Sequence, residues 1–298
     1  MNECADALRR DGYVVVDSFF ERQLADALRA ELLELNDAGC LSPNRTKLGN
    51  IVFSKPHIQE ADLHDARLRS LFSTTLRHFA AWCDESSGGF ARALCTALPE
   101  LRLETGDAAR AVKLQVNAGG GCFPWHYDNP GPPSKRALTM LVYLNPGWVP
   151  SDGGELVVMP FLTTAVTVAP LHNRCVMFVS DRCVHRVLPA RTKRLMMTTW
   201  FDGAAVNSSD DVGLNLPGRA TLEDIVALLR DTGRQRSLSR AVYAEEYAVS
   251  MAECMQGAEG QDALLCAHAE HLDSVQRNGP LRSLVDLLRS MKPGAIQT

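Results

Sequence analysis

The feature that most constrains the fold is a central run of short apolar segments separated by glycine and proline. These segments lie at residues 112–117, 136–144, 155–159, 165–169, 174–180, 185–188 and 194–201. Many short strands with turn residues between them are typical of a β-sandwich or a β-barrel. The sequence therefore predicts a β core between residues 111 and 203.

Helical patterns precede this core. Leucines at helical spacing from Leu24 to Leu33 predict a helix that ends near residues 37–39. A second helical region, at about 63–98, is divided by a glycine- and serine-rich break at 84–89. A short apolar run at 14–16 predicts a strand before both. We expect these elements, which make up residues 1–110, to support one face of the sheet.

Helical patterns also follow the core, in residues 204–298. A capping box from Thr221 to Asp224 predicts a helix start, and further helices are expected at 243–255, 261–275 and 281–291. The prediction for the whole chain is an α+β fold in three parts.

Two groups of polar residues in the C-terminal part could be either ordinary surface residues or parts of a binding site. An arginine cluster is interpreted as a solvated loop in preference to an anion or nucleic-acid site. Its members are Arg230, Arg234, Arg236 and Arg240. His268 and His271 are three residues apart on one predicted helix, and are interpreted as surface histidines because no third metal ligand accompanies them.

Composition excludes some partners. The net charge of −4 and the pI near 6.1 give no broad basic surface, so nucleic acid is not expected. The sequence has no apolar run of about 18 residues and no signal-like start, which predicts a protein that is not membrane-bound and that lies in the cytoplasm or the nucleus. The sequence makes no prediction of oligomeric state.

The cysteine pattern argues against a disulfide framework. The chain has nine cysteines, an odd number, with no CxxC spacing. We expect all nine to be reduced thiols. Cys122 and Cys183 lie near candidate metal ligands in the sequence, and packing is the favoured role for both.

One short segment and one distant histidine suggest a metal site. Side chains at alternate positions of an extended strand share a face, so His126 and Asp128 point the same way. His185 can complete the 2-His-1-carboxylate arrangement, which leaves open positions on Fe(II). An isolated His-x-Asp pair is weak evidence, and the residues after His185 strengthen it.

Arg194 stands at the start of an apolar segment, 194–201, with no acidic residue between His185 and Phe201 to pair with it. A buried guanidinium without a partner is costly. A ligand carboxylate is a good candidate partner, because two parallel hydrogen bonds join it to the planar guanidinium. The alternative is an arginine at a strand end that faces water.

Four sequence blocks around these residues resemble the prolyl 4-hydroxylase branch of the Fe(II)/2-oxoglutarate dioxygenases, and most resemble its hypoxia-inducible-factor prolyl hydroxylase type. They are WHYDNP at 125–130, VYLNPGW at 142–148, DGGEL at 152–156 and SDRCVHRVLP at 180–189. The arginine and a tryptophan six residues later agree in order and spacing. The resemblance covers about a third of the chain strongly.

The resemblance implies a double-stranded β-helix, or jelly-roll, core and a set of residue roles. His126, Asp128 and His185 would bind Fe(II). Arg194 would hold the distal carboxylate of 2-oxoglutarate with help from the Tyr143 hydroxyl. Two further residues of the last strand, Thr198 and Trp200, would complete the cofactor site. Ascorbate would rescue iron that is oxidised in uncoupled turnovers.

The chain departs from the family at Val116, where a tyrosine is often found, so one hydroxyl near the metal would be missing or replaced. The implied reaction is hydroxylation of a C–H bond with molecular oxygen, and it releases succinate and carbon dioxide. The leading substrate is a prolyl residue in a protein or peptide. Two alternatives stay open: a free amino acid or other small molecule as substrate, and an inactive oxygenase-like scaffold that binds partners.

Overall fold

The computed structural model describes residues 1–48, 51–84, 89–106, 109–204 and 214–293, without the side chains of residues 46–53. Eleven strands are found in these ranges. They are β1 (Tyr13–Val16), β2 (Ser42–Leu48), β3 (Ile51–Asp62), β4 (Arg110–Asn117), β5 (Gly121–His126), β6 (Arg136–Tyr143), β7 (Leu156–Pro160), β8 (Val166–Val168), β9 (Cys175–Val179), β10 (Cys183–Ala190) and β11 (Arg194–Asp202).

Ten α-helices surround the strands in the same ranges. They are α1 (Asn2–Asp11), α2 (Arg22–Asp37), α3 (Ala66–Arg69), α4 (Arg77–Cys83), α5 (Gly89–Ala97), α6 (Leu222–Arg230), α7 (Thr232–Val242), α8 (Ala244–Cys254), α9 (Gln261–Arg277) and α10 (Gly279–Ser290). None of the helices in the described ranges has the length and apolar content needed to cross a membrane.

The strands form two antiparallel sheets. The larger sheet has the order β1-β9-β6-β11-β4-β3-β2, and the smaller has the order β5-β10-β7-β8. Their inner faces share one apolar cluster, in which Tyr143 and Phe178 of the larger sheet meet Leu156 and Val187 of the smaller. Two antiparallel sheets packed face to face in this way confirm the predicted α+β fold with a jelly-roll core.

Helices cover the outer face of each sheet. On the larger sheet, Leu28 and Phe79 pack in one cluster with Met140 and Met197, whose side chains point away from the smaller sheet. On the smaller sheet, residues of α7 to α10 pack against outward-pointing side chains of β5, β7 and β10, such as Val184. Strand β1 pairs with β9 and β3 pairs with β4, so parts of residues 1–110 extend the core sheet directly.

Some expectations about local structure are wrong. The arginine-rich segment is helical and not a solvated loop: Arg230 ends α6, and Arg234, Arg236 and Arg240 lie in α7. Asp231 caps the start of α7 by accepting from the Arg234 amide at 3.0 Å, and the apolar side of α7 packs on the core. Arg236 is only 8% exposed. His268 is buried, not at the surface, since α9 packs it against α8, where its Nε2 lies 2.9 Å from the Ala244 carbonyl oxygen.

The expectation that all cysteines are free is also wrong. Cys122 of β5 and Cys254 of α8 form a disulfide with a Cα–Cα distance of 5.3 Å. The two are 132 residues apart in sequence, so no spacing rule could have paired them. The other seven cysteines form no disulfide.

Candidate active site

The two candidate histidine ligands are brought together by strand pairing. His126 is the last residue of β5 and His185 lies in β10, and the two are direct partners across the antiparallel pair. Their ring centroids are 4.2 Å apart. Cross-strand partners point to the same face of a sheet, so both imidazoles project into the space between the sheets.

Asp128 completes the cluster from just beyond the strand. Its Oδ1 lies 3.6 Å from Nε2 of His126 and 3.7 Å from Nε2 of His185. One ligand atom from each residue lies within 4.8 Å of the others. The predicted strand geometry holds only up to His126, where β5 ends, but the segment still supplies two of the three ligands. Three donors of these types on one side of a cavity fit Fe(II).

Backbone carbonyls fix both imidazoles. Nδ1 of His126 lies 2.8 Å from the Pro124 carbonyl oxygen, and Nδ1 of His185 lies 3.3 Å from the Cys183 carbonyl oxygen. A carbonyl can only accept, so Nδ1 carries the proton in each ring and Nε2 keeps a free lone pair. Such outer partners orient a ligand and set its tautomer.

Asp128 divides its two oxygens between different tasks. Oδ1 faces the histidines, whereas Oδ2 accepts hydrogen bonds from Oγ1 of Thr139 at 2.8 Å and from Nε1 of Trp200 at 3.0 Å. The carboxylate is 8% exposed. It is therefore held in one orientation before any metal binds.

The electrostatics keep Asp128 and His185 in metal-binding protonation states. Burial raises the pKa of Asp128, but the opposing effects of His185, His126 and the Trp200 hydrogen bond outweigh it, and the net pKa lies well below the usual range. Burial, together with the nearby His126, lowers the pKa of His185 to about 4. At neutral pH the site thus presents a carboxylate and a neutral imidazole, the forms that bind metal.

Arg194 is buried and does not face water, so the alternative of a water-facing arginine is wrong; its Nη1 lies 2.7 Å from Sδ of Met196, which lines the cavity of the metal ligands. Its side chain is 2% exposed, and its Nε donates to the Gly154 carbonyl oxygen at 2.6 Å. The guanidinium carbon lies 4.9 Å from the centroid of the Tyr143 ring. Within the described part of the chain, Nη2 of Arg194 and the Tyr143 hydroxyl are buried and lack a hydrogen-bond partner.

These two orphan donors match the carboxylate that the sequence predicted as a ligand. Burial raises the pKa of Tyr143, so its hydroxyl stays protonated and able to donate. Gly154 makes room for the arginine, because a Cβ there would lie 2.7 Å from Cδ of Arg194 and its φ is +79°. The site residues therefore fit both an iron ion and a dicarboxylate cosubstrate.

The remaining expected residues of the last strand also reach the cavity. Thr198 and Trp200 lie two residues apart on one face of β11, and both line the cavity. The Trp200 indole donates a hydrogen bond to Asp128. Val116 instead packs in the cluster under the helices, and its neighbour Gln115 lines the cavity. The family resemblance predicts that a tyrosine hydroxyl near the metal is missing or replaced at Val116. In the structure the neighbouring Gln115 supplies a polar side chain to the cavity wall.

The cavity has a volume of about 740 Å³ and extends from the metal ligands to helices α7, α8 and α9. Sequence reasoning missed these helical wall residues and also Lys55 of β3. Arg236 and Arg240 carried one usable signal, since residues four apart lie on the same face of a helix. Nothing in the local sequence pointed to Lys55.

Comparison with known proteins gives this site a family. Residues 112–202 match the 2OG-Fe(II) oxygenase superfamily. A prolyl 4-hydroxylase structure from Phytophthora capsici is 40% identical, with 98% of this chain and 92% of that chain covered and a TM-score of 0.81. A Pseudomonas putida prolyl-4-hydroxylase is 25% identical, with 68% and 98% covered and a TM-score of 0.54.

A Trichoplax adhaerens prolyl hydroxylase, solved with a hypoxia-inducible-factor peptide fragment, is 23% identical over 70% of this chain and 92% of its own, with a TM-score of 0.57. That likeness shows a shared fold alone. No curated protein sequence matches the chain.

The chain belongs to the 2OG-Fe(II) oxygenase superfamily, in its prolyl 4-hydroxylase branch. This confirms the resemblance seen in the sequence, and it makes the protein an oxidoreductase. The family implies Fe(II) and 2-oxoglutarate, and the cluster of His126, Asp128 and His185 is the iron site.

Proposed function

We propose that this protein hydroxylates a prolyl residue of a protein or peptide, with 2-oxoglutarate and molecular oxygen as cosubstrates. The observation that carries the proposal is the buried pair of Arg194 and Tyr143, which has unsatisfied donors. Tyr143 packs in one cluster with Phe178, whose ring centroid lies 4.5 Å from that of His185 in the complete metal triad. An inactive scaffold would have no use for two desolvated donors without a ligand. The 40% identity to a prolyl 4-hydroxylase supports the choice of substrate.

Bound Fe(II) would supply the redox chemistry that couples decarboxylation of 2-oxoglutarate to succinate and carbon dioxide with insertion of one oxygen atom into a C–H bond. The chain's own groups do the positioning. Arg194 and Tyr143 would donate to the distal carboxylate of the cosubstrate, and Trp200 and Thr139 would hold the aspartate in place. The surrounding apolar walls would keep bulk water from the reacting atoms.

Three further parts of the proposal rest on the family resemblance and on composition. Ascorbate would restore activity after uncoupled turnovers. Thr198 would lie against the bound cosubstrate from its position on the cavity wall. The protein would act in the cytoplasm or the nucleus without binding nucleic acid or membrane, which fractionation of cells would test.

The first experiment is an anaerobic titration with Fe(II) and 2-oxoglutarate that follows the visible charge-transfer band of the chelated cosubstrate. The wild-type protein should give the band. Arg194→Ala should need far more 2-oxoglutarate to give it, because a buried charge-assisted hydrogen bond is lost. Lys193→Ala is the matched control, since this neighbouring side chain points outward to Asp37 and should leave the titration unchanged.

The second experiment asks for the product. Incubation of proline-containing peptides with the loaded enzyme, followed by fragment mass spectrometry, should locate one added oxygen on proline. Addition of oxygen to free amino acids only would favour the small-molecule alternative. A folded, iron-loaded protein that gives no band and consumes no 2-oxoglutarate would favour the binding scaffold.

A further inference from the structure

The wall of the active-site cavity carries an excess of positive charge. Among the described residues that line it, six have cationic side chains and two have carboxylates. The cations are Arg45, Lys55, Lys113, Arg136, Arg236 and Arg240. The whole chain has a net charge of −4, so this concentration of cations is local to the cavity.

The two carboxylates of the wall are already engaged. Asp128 belongs to the iron site. Glu60 accepts from Nζ of Lys113 at 2.8 Å with one oxygen and from Nδ2 of Asn44 at 2.6 Å with the other. Glu60 and Lys113 therefore balance each other, and the other cations outnumber the remaining carboxylate among the described wall residues.

These cations stand on separate sides of the metal ligands. On one side, Nζ of Lys55 lies 4.1 Å from the Phe123 ring centroid, and that ring is 5.9 Å from the ring of His126. On another side, the guanidinium carbon of Arg136 lies 4.0 Å from the Trp200 ring, and its Nη1 donates to the Asp128 carbonyl oxygen at 3.2 Å.

Helix α7 supplies the third side. Arg236 and Arg240 lie one helical turn apart, and both line the cavity. Arg236 is 8% exposed and packs against the loop that follows the iron ligands, since a Cβ on Gly131 would lie 2.9 Å from its Nη2. A buried guanidinium at a cavity wall is suited to planar, two-point recognition of a carboxylate.

The cosubstrate does not account for this charge. Its distal carboxylate has a dedicated site at Arg194 and Tyr143, which lie at the opposite end of β11 from Trp200 and Arg136. Lys55, Arg236 and Arg240 line the cavity, whereas Arg194 and Tyr143 are not among its wall residues. The charge of the wall residues therefore concerns what the enzyme oxidises.

Apolar side chains in the same space indicate a peptide. Tyr247, Met251, Met255 and Leu264 line the cavity beside the arginines. A wall of this kind accepts aliphatic side chains, whereas a nucleic-acid strand would call for a continuous basic groove with stacking aromatics. The lining thus combines an apolar surface with flanking cations.

We propose that α7 and Lys55 select an acidic peptide, one in which glutamate or aspartate flanks the target proline. Arg236 and Arg240 would bind a carboxylate on one side of the proline and Lys55 a carboxylate on the other. The inference rests on the proposed prolyl hydroxylation and names the substrate class for that same site. It gives the C-terminal helices a role in substrate selection.

The test uses the full-length, Fe(II)- and 2-oxoglutarate-loaded protein without oxygen and two labelled peptides of equal length. Each has a central proline, flanked by glutamates in one and by glutamines in the other. Fluorescence anisotropy should show that the glutamate peptide binds about tenfold or more tightly, the usual weight of a hydrogen bond between charged groups in a desolvated site. The preference should shrink as salt is added.

Variants assign the preference to residues. Arg240→Gln and Lys55→Met should each reduce it severalfold, as should Arg236→Gln if that variant folds. Arg234→Gln is the matched control, because Arg234 lies on the same helix but is exposed and absent from the cavity wall. When oxygen is admitted, the loss should appear in KM for the glutamate peptide more than in kcat.

Equal binding of the two peptides by the wild-type protein would overturn the inference without any need for variants. Tighter binding of a labelled oligothymidine than of the glutamate peptide would overturn it in favour of a nucleic-acid site. Addition of oxygen to both peptides with no preference would leave prolyl hydroxylation standing and remove the acidic preference. Tighter binding of the glutamate peptide, with no oxygen added to either peptide, would support the acidic preference and count against prolyl hydroxylation.

Discussion

At the scale of single residues, the site depends on how Asp128 is held. One oxygen is left for the metal, and the other is occupied by Thr139 and Trp200. The family resemblance placed Trp200 among the residues near the cosubstrate. The structure shows in addition that its indole donates a hydrogen bond to Asp128, which the sequence alone could not reveal. We infer from this hydrogen bond that Trp200 positions the aspartate.

The first prediction concerns this contact. Trp200→Phe should lower Fe(II) affinity by about tenfold or more, because a removed outer partner lets the ligand reorient. Calorimetric titration of the protein with Fe(II) under anaerobic conditions would measure it. Trp82→Phe is the control, since it removes an equivalent indole bond, to Oγ1 of Thr199 at 3.0 Å, on the helix-covered side of β11.

The second prediction concerns Lys55 and pH. Burial lowers the pKa of Lys55 to about 8, although Glu60 and Asp128 raise it and Lys113 lowers it further. Between about pH 8 and the unfolded value of 10.5, the unfolded chain binds more protons at this position, so Lys55 contributes stability that increases as pH rises. Urea unfolding at pH 7.5 and pH 10 should show that Lys55→Met loses this part of the pH dependence.

Local sequence could identify the metal triad and Arg194, because ligand spacing and an unpaired charge in an apolar segment are visible over a few residues. It could not identify Lys55, and for Arg236 it offered only the four-residue spacing from Arg240. Lys55 and Arg236 reach the cavity only through the pairing of β3 with β4 and the packing of α7 on the smaller sheet. The metal ligands and the cosubstrate-binding arginine could therefore be predicted from the sequence, and the residues of the surrounding cavity wall could not.

At the scale of elements, α8 is attached to both strands that carry histidine ligands. It is joined to β5 by the Cys122–Cys254 disulfide and by a hydrogen bond from the Trp125 amide to Oγ of Ser250 at 3.2 Å. It is joined to β10 by an ion pair between Arg186 and Glu253. The helix therefore fixes the two strands relative to each other.

The third prediction tests the cross-link. Cys254→Ala should lower the free energy of unfolding by roughly 2–4 kcal/mol in oxidising buffer, because a disulfide restricts the unfolded chain. Thermal unfolding with and without dithiothreitol would measure it, and reduction should remove most of the difference from the wild type. Cys266→Ala, at an exposed free cysteine, should change neither curve.

The elements that sequence reasoning missed have identifiable causes. Strand β5 contains Pro124, which argues against a strand, but β5 is an edge of the smaller sheet, where a missing amide is tolerated. In β3, Pro56 falls at the irregularity between Ser54 and Gln59, where the pairing with β2 shifts register, and before the stretch that pairs with β4. Helices α1 and α7 are short and polar, and tertiary packing stabilises them more than their own propensity does.

At the scale of the whole molecule, the jelly-roll core has helices on both outer faces, and neither helical layer is peripheral. The cluster between the smaller sheet and α6 to α10 includes Trp125 and Tyr127, the neighbours of an iron ligand. The same helices supply a wall of the active-site cavity. The division into three parts at residues 110 and 203 stays a prediction about sequence organisation.

The fourth prediction follows from this arrangement. A chain that ends at Gly203 should be poorly soluble and lack a cooperative thermal transition, because the outer face of the smaller sheet would be exposed. Differential scanning calorimetry of the shortened and full-length proteins would decide. A shortened chain that unfolds cooperatively at the temperature of the full-length protein would show that the helices are an independent unit.

The pairing of His126 with His185 across β5 and β10 also sets an order of events during biosynthesis. The first histidine leaves the ribosome well before the second, and strands that are distant in sequence pair slowly. A nascent chain that ends before β10 has an incomplete ligand set. We therefore expect iron capture at a late stage of folding, after β5 and β10 have paired, so that the moment at which a refolding chain first retains the metal would mark the completion of its β core.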